Sequence, residues 1–130
     1  NVISESIWSM EQRCPYVIDQ YRTKLTNKIN EFSNNSIELD GARIEMEVAI
    51  FCDKISIDEE LVRLNSHLKQ FVDSINSDSP IGRKLDFIIQ EMYREINTIA
   101  SKSNDFIIAN LAIEVKTELE KIREQVQNIE

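Results

Sequence analysis

Between Gly82 and Lys102 the chain reads GRKLDFIIQEMYREINTIASK, and its apolar residues recur at steps of three and four. Leu85, Ile88 with Ile89, Met92, Ile96 and Ile99 therefore share one face of a helix. Two further lines keep the same spacing. One, Arg83, Asp86, Gln90, Arg94, Asn97 and Ser101, is wholly polar; the other carries Phe87, Glu91, Glu95, Thr98 and Lys102. The pattern predicts a helix that turns its isoleucines inward and presents ordered rows of acids and guanidinium groups outward. Such rows suit a phosphate ligand or a metal ion.

The rest of the chain repeats the helical period. Ile3, Ile7, Met10, Cys14, Val17, Tyr21, Leu25, Ile29 and Phe32 predict a first long helix over 2–33. Pro15 lacks a backbone donor and crowds the preceding turn, so a kink or break is expected near Arg13. The polar run Ser33-Asn34-Asn35-Ser36 ends that helix. A second helix is expected over 38–54, with Ile44, Val48, Phe51 and Ile55 inward. Ser56 and Glu59 have the spacing of a capping box, which would start a third helix at Ile57. Its seam, Ile57, Leu61, Leu64, Leu68, Phe71 and Ile75, alternates steps of four and three as in a coiled coil. A turn at Asn76–Ser79 places Pro80 at the first position of the next helix. Ser103, Asn104 and Asp105 offer caps for a last helix from Phe106, with Ile108, Leu111, Val115, Leu119, Ile122, Val126 and Ile129 as its seam. No stretch alternates with the two-residue period of a strand. The expected fold is all-α: one domain, 1–130, forming a bundle of about five long helices with coiled-coil-like seams. Seams of this length favour an oligomer over a compact monomer.

Composition narrows the function. Only two Gly and two Pro leave few tight turns, in keeping with long helices. With 23 acidic against 15 basic residues the net charge is -8, which argues against an indiscriminate nucleic-acid binder but leaves room for a local basic patch. No apolar run approaches the roughly 18 residues that cross a membrane. Cys14 and Cys52 lack a zinc-like spacing and read as buried free thiols of a cytoplasmic protein.

Candidate chemistry centres on few residues. Glu91 and Glu95, four apart, project from one side of their helix and suit a hard divalent ion such as Mg²⁺ or Mn²⁺; the same spacing is also common on solvated helix surfaces. His67, the one histidine, lies on the line Glu60, Arg63, His67, Gln70, Ser74, away from the leucine seam. It is either a metal ligand or general acid/base, or a surface histidine paired with Arg63 or Gln70. Arg83, Lys84, Arg94 and Lys102 can grip a sugar-phosphate backbone, or pair internally with Asp86, Gln90 and Glu91. Tyr93 reads as a half-buried core aromatic, with base stacking the alternative.

The segments GRKLDF, QEM, REINTI, SK and ND, together with EELVRLNSHLKQF over 59–71 and ELEKIREQVQNIE over 118–130, resemble the C-terminal domain of the bacterial YicC/YloC family. The resemblance covers the chain from Ser56 to its end. Tyr93 stands where the pattern has Asn, Ala100 where it has Gly, and Ser103 where it has Ala. Members of the family carry a separate N-terminal domain, and this chain, beginning at Asn1 without an initiator Met, is expected to lack it. The resemblance implies a metal-dependent endoribonuclease that forms a ring-like homo-oligomer. It assigns His67, Glu91 and Glu95 to catalysis, these three with Asp86 to a Mn²⁺ or Mg²⁺ ion, and Arg63, Arg83, Lys84, Arg94 and Lys102 to RNA. The alternatives are a non-catalytic assembly domain and an RNA-binding adaptor.

Overall fold

The isoleucine stripe of the organising helix is the centre of the fold. In the computed structural model, which describes residues 1–32, 41–76 and 82–129, Leu85, Ile88, Ile89, Met92, Ile96 and Ile99 are all buried. Five helices make up the described residues: α1 (Val2–Phe32), α2 (Gly41–Ile55), α3 (Asp58–Ile75), α4 (Gly82–Lys102) and α5 (Phe106–Ile129). No described residue is in a strand.

Side-chain pairs fix the directions. Arg63 on α3 meets Glu95 on α4, while Glu60 meets Lys102, so α3 and α4 run antiparallel. Tyr93 meets Glu120 and Asp86 meets Arg123, which makes α4 and α5 antiparallel as well. Arg13 near the middle of α1 reaches Asp105 at the start of α5, and Glu11 accepts a hydrogen bond from Asn65 of α3. The helices α1, α3, α4 and α5 thus form a four-helix bundle in which α1 and α4 each pack on α3 and α5. α2 packs on α1, where the rings of Tyr21 and Phe51 stack with centroids 3.7 Å apart.

The core joins the four seams: Ile3, Ile7 and Met10 of α1, Leu61, Leu64, Leu68 and Phe71 of α3, the α4 stripe, and Ile108, Val115 and Leu119 of α5. Burial of these apolar surfaces stabilises the bundle, since each large aliphatic side chain contributes about 1.5–3 kcal/mol. Ile75 departs from the expected seam. It is 49% exposed because α3 ends there and the register has carried it beyond its partners.

Two local expectations meet a different outcome. The break expected near Arg13 does not occur: α1 continues as one helix through Pro15. Met10 and Val17 are buried on either side of the proline, and the Arg13–Asp105 pair anchors the same turn, so tertiary packing outweighs the missing backbone bond. The capping box does not form. α3 begins at Asp58, with Ile57 at the cap position and no side-chain cap. Ile57 is buried in the core, the Ser56 carbonyl accepts from Lys102, and Glu59 turns to Arg63. The cap at the start of α5 does form: Asp105 Oδ2 accepts from the Ile108 amide at 3.1 Å. The expected start of α2 at Glu38, the polar run 33–36 and the proline turn at 77–80 lie outside the described residues.

Candidate functional site

The polar row of α3 and the outer row of α4 close against each other along one edge of the bundle. Arg63 Nε donates to Glu95 Oε1 at 2.9 Å, and Lys102 Nζ donates to Glu60 Oε1 at 2.7 Å. Arg63 also lies within 3.5 Å of Glu59 and 3.7 Å of Glu60. The two acids at the centre of this lattice are buried, Glu60 to 3% exposure and Glu95 to 6%. A buried carboxylate is costly unless paired, and here each has its cation. Glu60 feels burial, which pushes its carboxyl up, but the Lys102 hydrogen bond and the nearby Arg63 charge hold it below the usual carboxylate value. Its Oε2 is buried without a hydrogen-bond donor among the described residues.

One turn on from Arg63 along α3 is His67, and one turn back from Glu95 along α4 is Glu91. The antiparallel register therefore sets His67 and Glu91 level with each other, beside the Arg63–Glu95 link. Both are half-buried. His67 Nδ1 is 3.3 Å from Gln70 Oε1, which leaves the other ring nitrogen for a ligand or a proton. Glu91 makes no ion pair or hydrogen bond with the described residues.

The remaining candidates divide. Asp86 faces α5, where it accepts from Gln90 and lies 3.8 Å from Arg123, so it does not join His67. Arg83, Lys84 and Arg94 are exposed. Lys84 shares a groove of about 430 Å³ with Gln70, Asp73 and Phe87, farther along the same edge. Arg63 and Lys102 are already paired with carboxylates of their own chain. Tyr93 is half-buried, as expected, and donates to Glu120 at 2.6 Å; burial first, then that hydrogen bond, push its hydroxyl up to about 12.

The fit to a metal ion is partial. Among the described residues no three His, Cys, Asp or Glu side chains gather closely enough to hold one. Glu95 is committed to Arg63 and Asp86 to the α5 side, which leaves Glu91 and His67. Two such donors do not make a resident site by themselves.

The chain matches the family described as endoribonuclease YicC-like, C-terminal, over residues 10–130. It belongs to that family. The match reaches back from Ser56, where the sequence resemblance begins, through α2 and most of α1. The chain is 50% identical over 130 residues to a probable endoribonuclease YicC of Clostridioides difficile, covering all of this chain and 44% of the relative. It is 37% identical over 121 residues to a probable endoribonuclease YicC of Haemophilus influenzae, covering 93% of this chain and 41% of that protein. The chain thus spans less than half the length of these YicC relatives. Among the described residues no helix is long and apolar enough to cross a membrane.

The pairings of three residues in the polar framework carried no sequence signal, although Glu60 lies on the His67 line and Asp105 reads as a cap. Glu60 reads as one more acid in a first helical turn, and Arg13 and Asp105 are 92 positions apart. Arg13 grips Asp105 through Nε and a terminal nitrogen, at 2.9 and 3.0 Å, and this holds the Asp105 carboxyl below its usual range. Both cysteines are free and half-buried and line one cavity between α1, α2 and the start of α5. Burial pushes the Cys14 thiol up to about 11, so it is a packing group rather than a nucleophile.

Proposed function

We propose that this chain supplies the RNA-cleaving face of an endoribonuclease that depends on a divalent metal ion, with the α3–α4 edge as that face. One observation carries the reading: the register brings His67 and Glu91 level beside the ion pairs of the buried Glu60 and Glu95, with Lys84 farther along the same side. Hydrolysis of a phosphodiester needs a group to move protons and cations to hold the phosphate. His67 fits the first role, because its imidazole carries two ring nitrogens, one able to accept a proton and the other to donate one. Glu91 serves the second, as an uncommitted carboxylate that a hard ion beside the phosphate requires. Mg²⁺ and Mn²⁺ often take one or two protein carboxylates and complete their shell with water and substrate phosphate. Arg83, Lys84 and Arg94 contact the RNA backbone, whereas Arg63, Glu95, Glu60 and Lys102 hold the two helices in register. The relatives, each a probable endoribonuclease, agree with the reaction class, and a homo-oligomer in which a second copy supplies further donors is part of the same proposal.

The test is cleavage of a labelled single-stranded RNA by this chain and by the full-length Clostridioides difficile relative, with Mn²⁺ or with chelator. Internal cleavage that disappears on chelation is expected. Cleavage by the longer protein alone would make this chain an assembly domain, and retention of RNA without cleavage would make it an adaptor. Activity untouched by removal of Glu91 and His67 would displace the site from this edge.

A further inference from the structure

Along the outer row of α4 one residue does not belong with its neighbours. Phe87 lies one turn before Glu91, in line with Glu95, Thr98 and Lys102, yet its ring is 62% exposed. An isolated exposed apolar side chain needs no explanation. This ring, however, forms part of the wall of the groove of about 430 Å³ that also holds Lys84, Gln70 and Asp73. Lys84 makes no ion pair with the described residues, and Arg83 beside it is exposed. An aromatic face and an ammonium group from α4, facing an amide from α3 across one groove, are the parts of a nucleotide subsite.

We infer that Phe87 is a stacking platform for one unpaired base of the RNA, with Lys84 on the adjacent phosphate and Gln70 and Asp73 toward the base edge. This deepens the nuclease reading and rests on it. Charge complementarity fixes the orientation. A phosphate is drawn to Lys84 and kept from Asp73, whose carboxylate accepts only from donors, as the edge of a base provides. The direction along the edge then follows. Four residues, a rise of about 6 Å, separate Phe87 from Glu91, so a base seated on the ring leaves its neighbouring phosphate near the level of His67 and Glu91. Stacking requires a base free of its partner, so the subsite selects single strands over duplex. Base–aromatic stacking tolerates any base and is sequence-independent.

The test uses the full-length protein in chelator, so that binding is read without cleavage, and a single-stranded oligoribonucleotide carrying one 2-aminopurine. Wild type should quench the probe's fluorescence at one position of the bound strand, as stacking does. Phe87→Ala and Phe87→Leu should abolish that quench and weaken single-strand binding by about tenfold, while Phe87→Trp keeps both. Weak binding of a duplex of the same sequence should not change. Since the ring is largely in solvent, helical content and Tm of all three variants should match wild type. If wild type binds RNA and Phe87→Ala binds and quenches equally well, the stacking subsite is wrong and the nuclease reading stands. If wild type binds no RNA, both fall. A variant that changes subunit assembly without changing RNA affinity would assign the ring to a protein contact and overturn the subsite.

Discussion

The Arg63 guanidinium sits 2.9 Å from the Glu95 carboxylate, a contact between two helices across 32 positions of sequence. Glu95 is buried and Arg63 is half in solvent. The pair consequently serves placement: it locks α3 against α4 in the register that levels His67 with Glu91. A carboxylate oxygen already held by a guanidinium is a poor ion ligand.

Glu91 and Glu95 should therefore respond differently to the same substitution. Glu95→Gln removes the shortest of the Arg63 ion pairs, leaving the longer contacts to Glu59 and Glu60, and should lower Tm by several degrees, with activity falling as the register loosens. Glu91→Gln should leave Tm unchanged and lower kcat of the RNA-cleaving protein by about 10²–10⁴-fold, the usual range for loss of a proton-transfer or phosphate-positioning group. A second cycle combining Glu95→Gln with Arg63→Met should show coupling in Tm. Equal thermal losses in the two single variants would remove the distinction between the two acids.

Acid should weaken the lattice in a defined direction. Glu60 feels the penalty of burial but is held below its ordinary value of 4.5 by Lys102 and Arg63. The Arg13 hydrogen bond, against burial, holds Asp105 below 3.8. A carboxyl depressed in the folded state contributes stability that is complete above its unfolded value and is lost as pH falls through the folded value. Urea midpoints should hence be flat toward neutral pH and fall below about pH 4.5. Glu60→Gln should flatten part of that fall while lowering the plateau. A stability that rises on acidification through this window would contradict the assigned ion pairs.

The helices and their inward faces were legible because a 3.6-residue period leaves a mark on every turn. Leu85 to Ile99 and Ile57 to Phe71 were all placed correctly. The two rows that meet along the α3–α4 edge were legible too, as the lines through Glu60, Arg63 and His67 and through Glu91, Glu95 and Lys102. Their mutual register was not, since periodicity within each helix says nothing of how one slides along another. That slide pairs Glu95 with Arg63 and Lys102 with Glu60. The Ser56–Glu59 cap failed for a related reason: a local hydrogen-bond motif lost to the burial of Ile57 and to the demand of Lys102 for the Ser56 carbonyl. Phe87 looked like any apolar residue in a helix, and only its exposure beside Lys84 gives it a role.

The core itself offers a direct check on the bundle. Ile96 has no exposed surface and lies at the centre of the α4 stripe. Ile96→Ala removes three carbons from a site enclosed by helices on both sides, and such truncations cost about 2–5 kcal/mol. Urea denaturation should show that loss at an unchanged slope, whereas the same change at Val62, which is 68% exposed, should fall within about 0.5 kcal/mol of wild type.

Asp105 performs two tasks with one carboxylate, and three substitutions separate them. Its Oδ2 caps α5 through the Ile108 amide and also accepts from Arg13, while Oδ1 receives the second guanidinium bond. Asp105→Asn keeps an oxygen for the cap and gives up the charge; Asp105→Ala gives up both; Arg13→Met removes only the tie to α1. A lost cap typically costs about 0.5–2 kcal/mol, so Asp105→Ala should be less stable than Asp105→Asn by about that amount. Arg13→Met should resemble Asp105→Asn, because each breaks the α1–α5 link and preserves the cap. Amide hydrogen exchange gives the local readout: faster exchange at Ile108 in Asp105→Ala, and near wild-type exchange there in Arg13→Met. Should Arg13→Met expose Ile108 as much as Asp105→Ala does, the guanidinium, rather than the cap, is what starts the last helix.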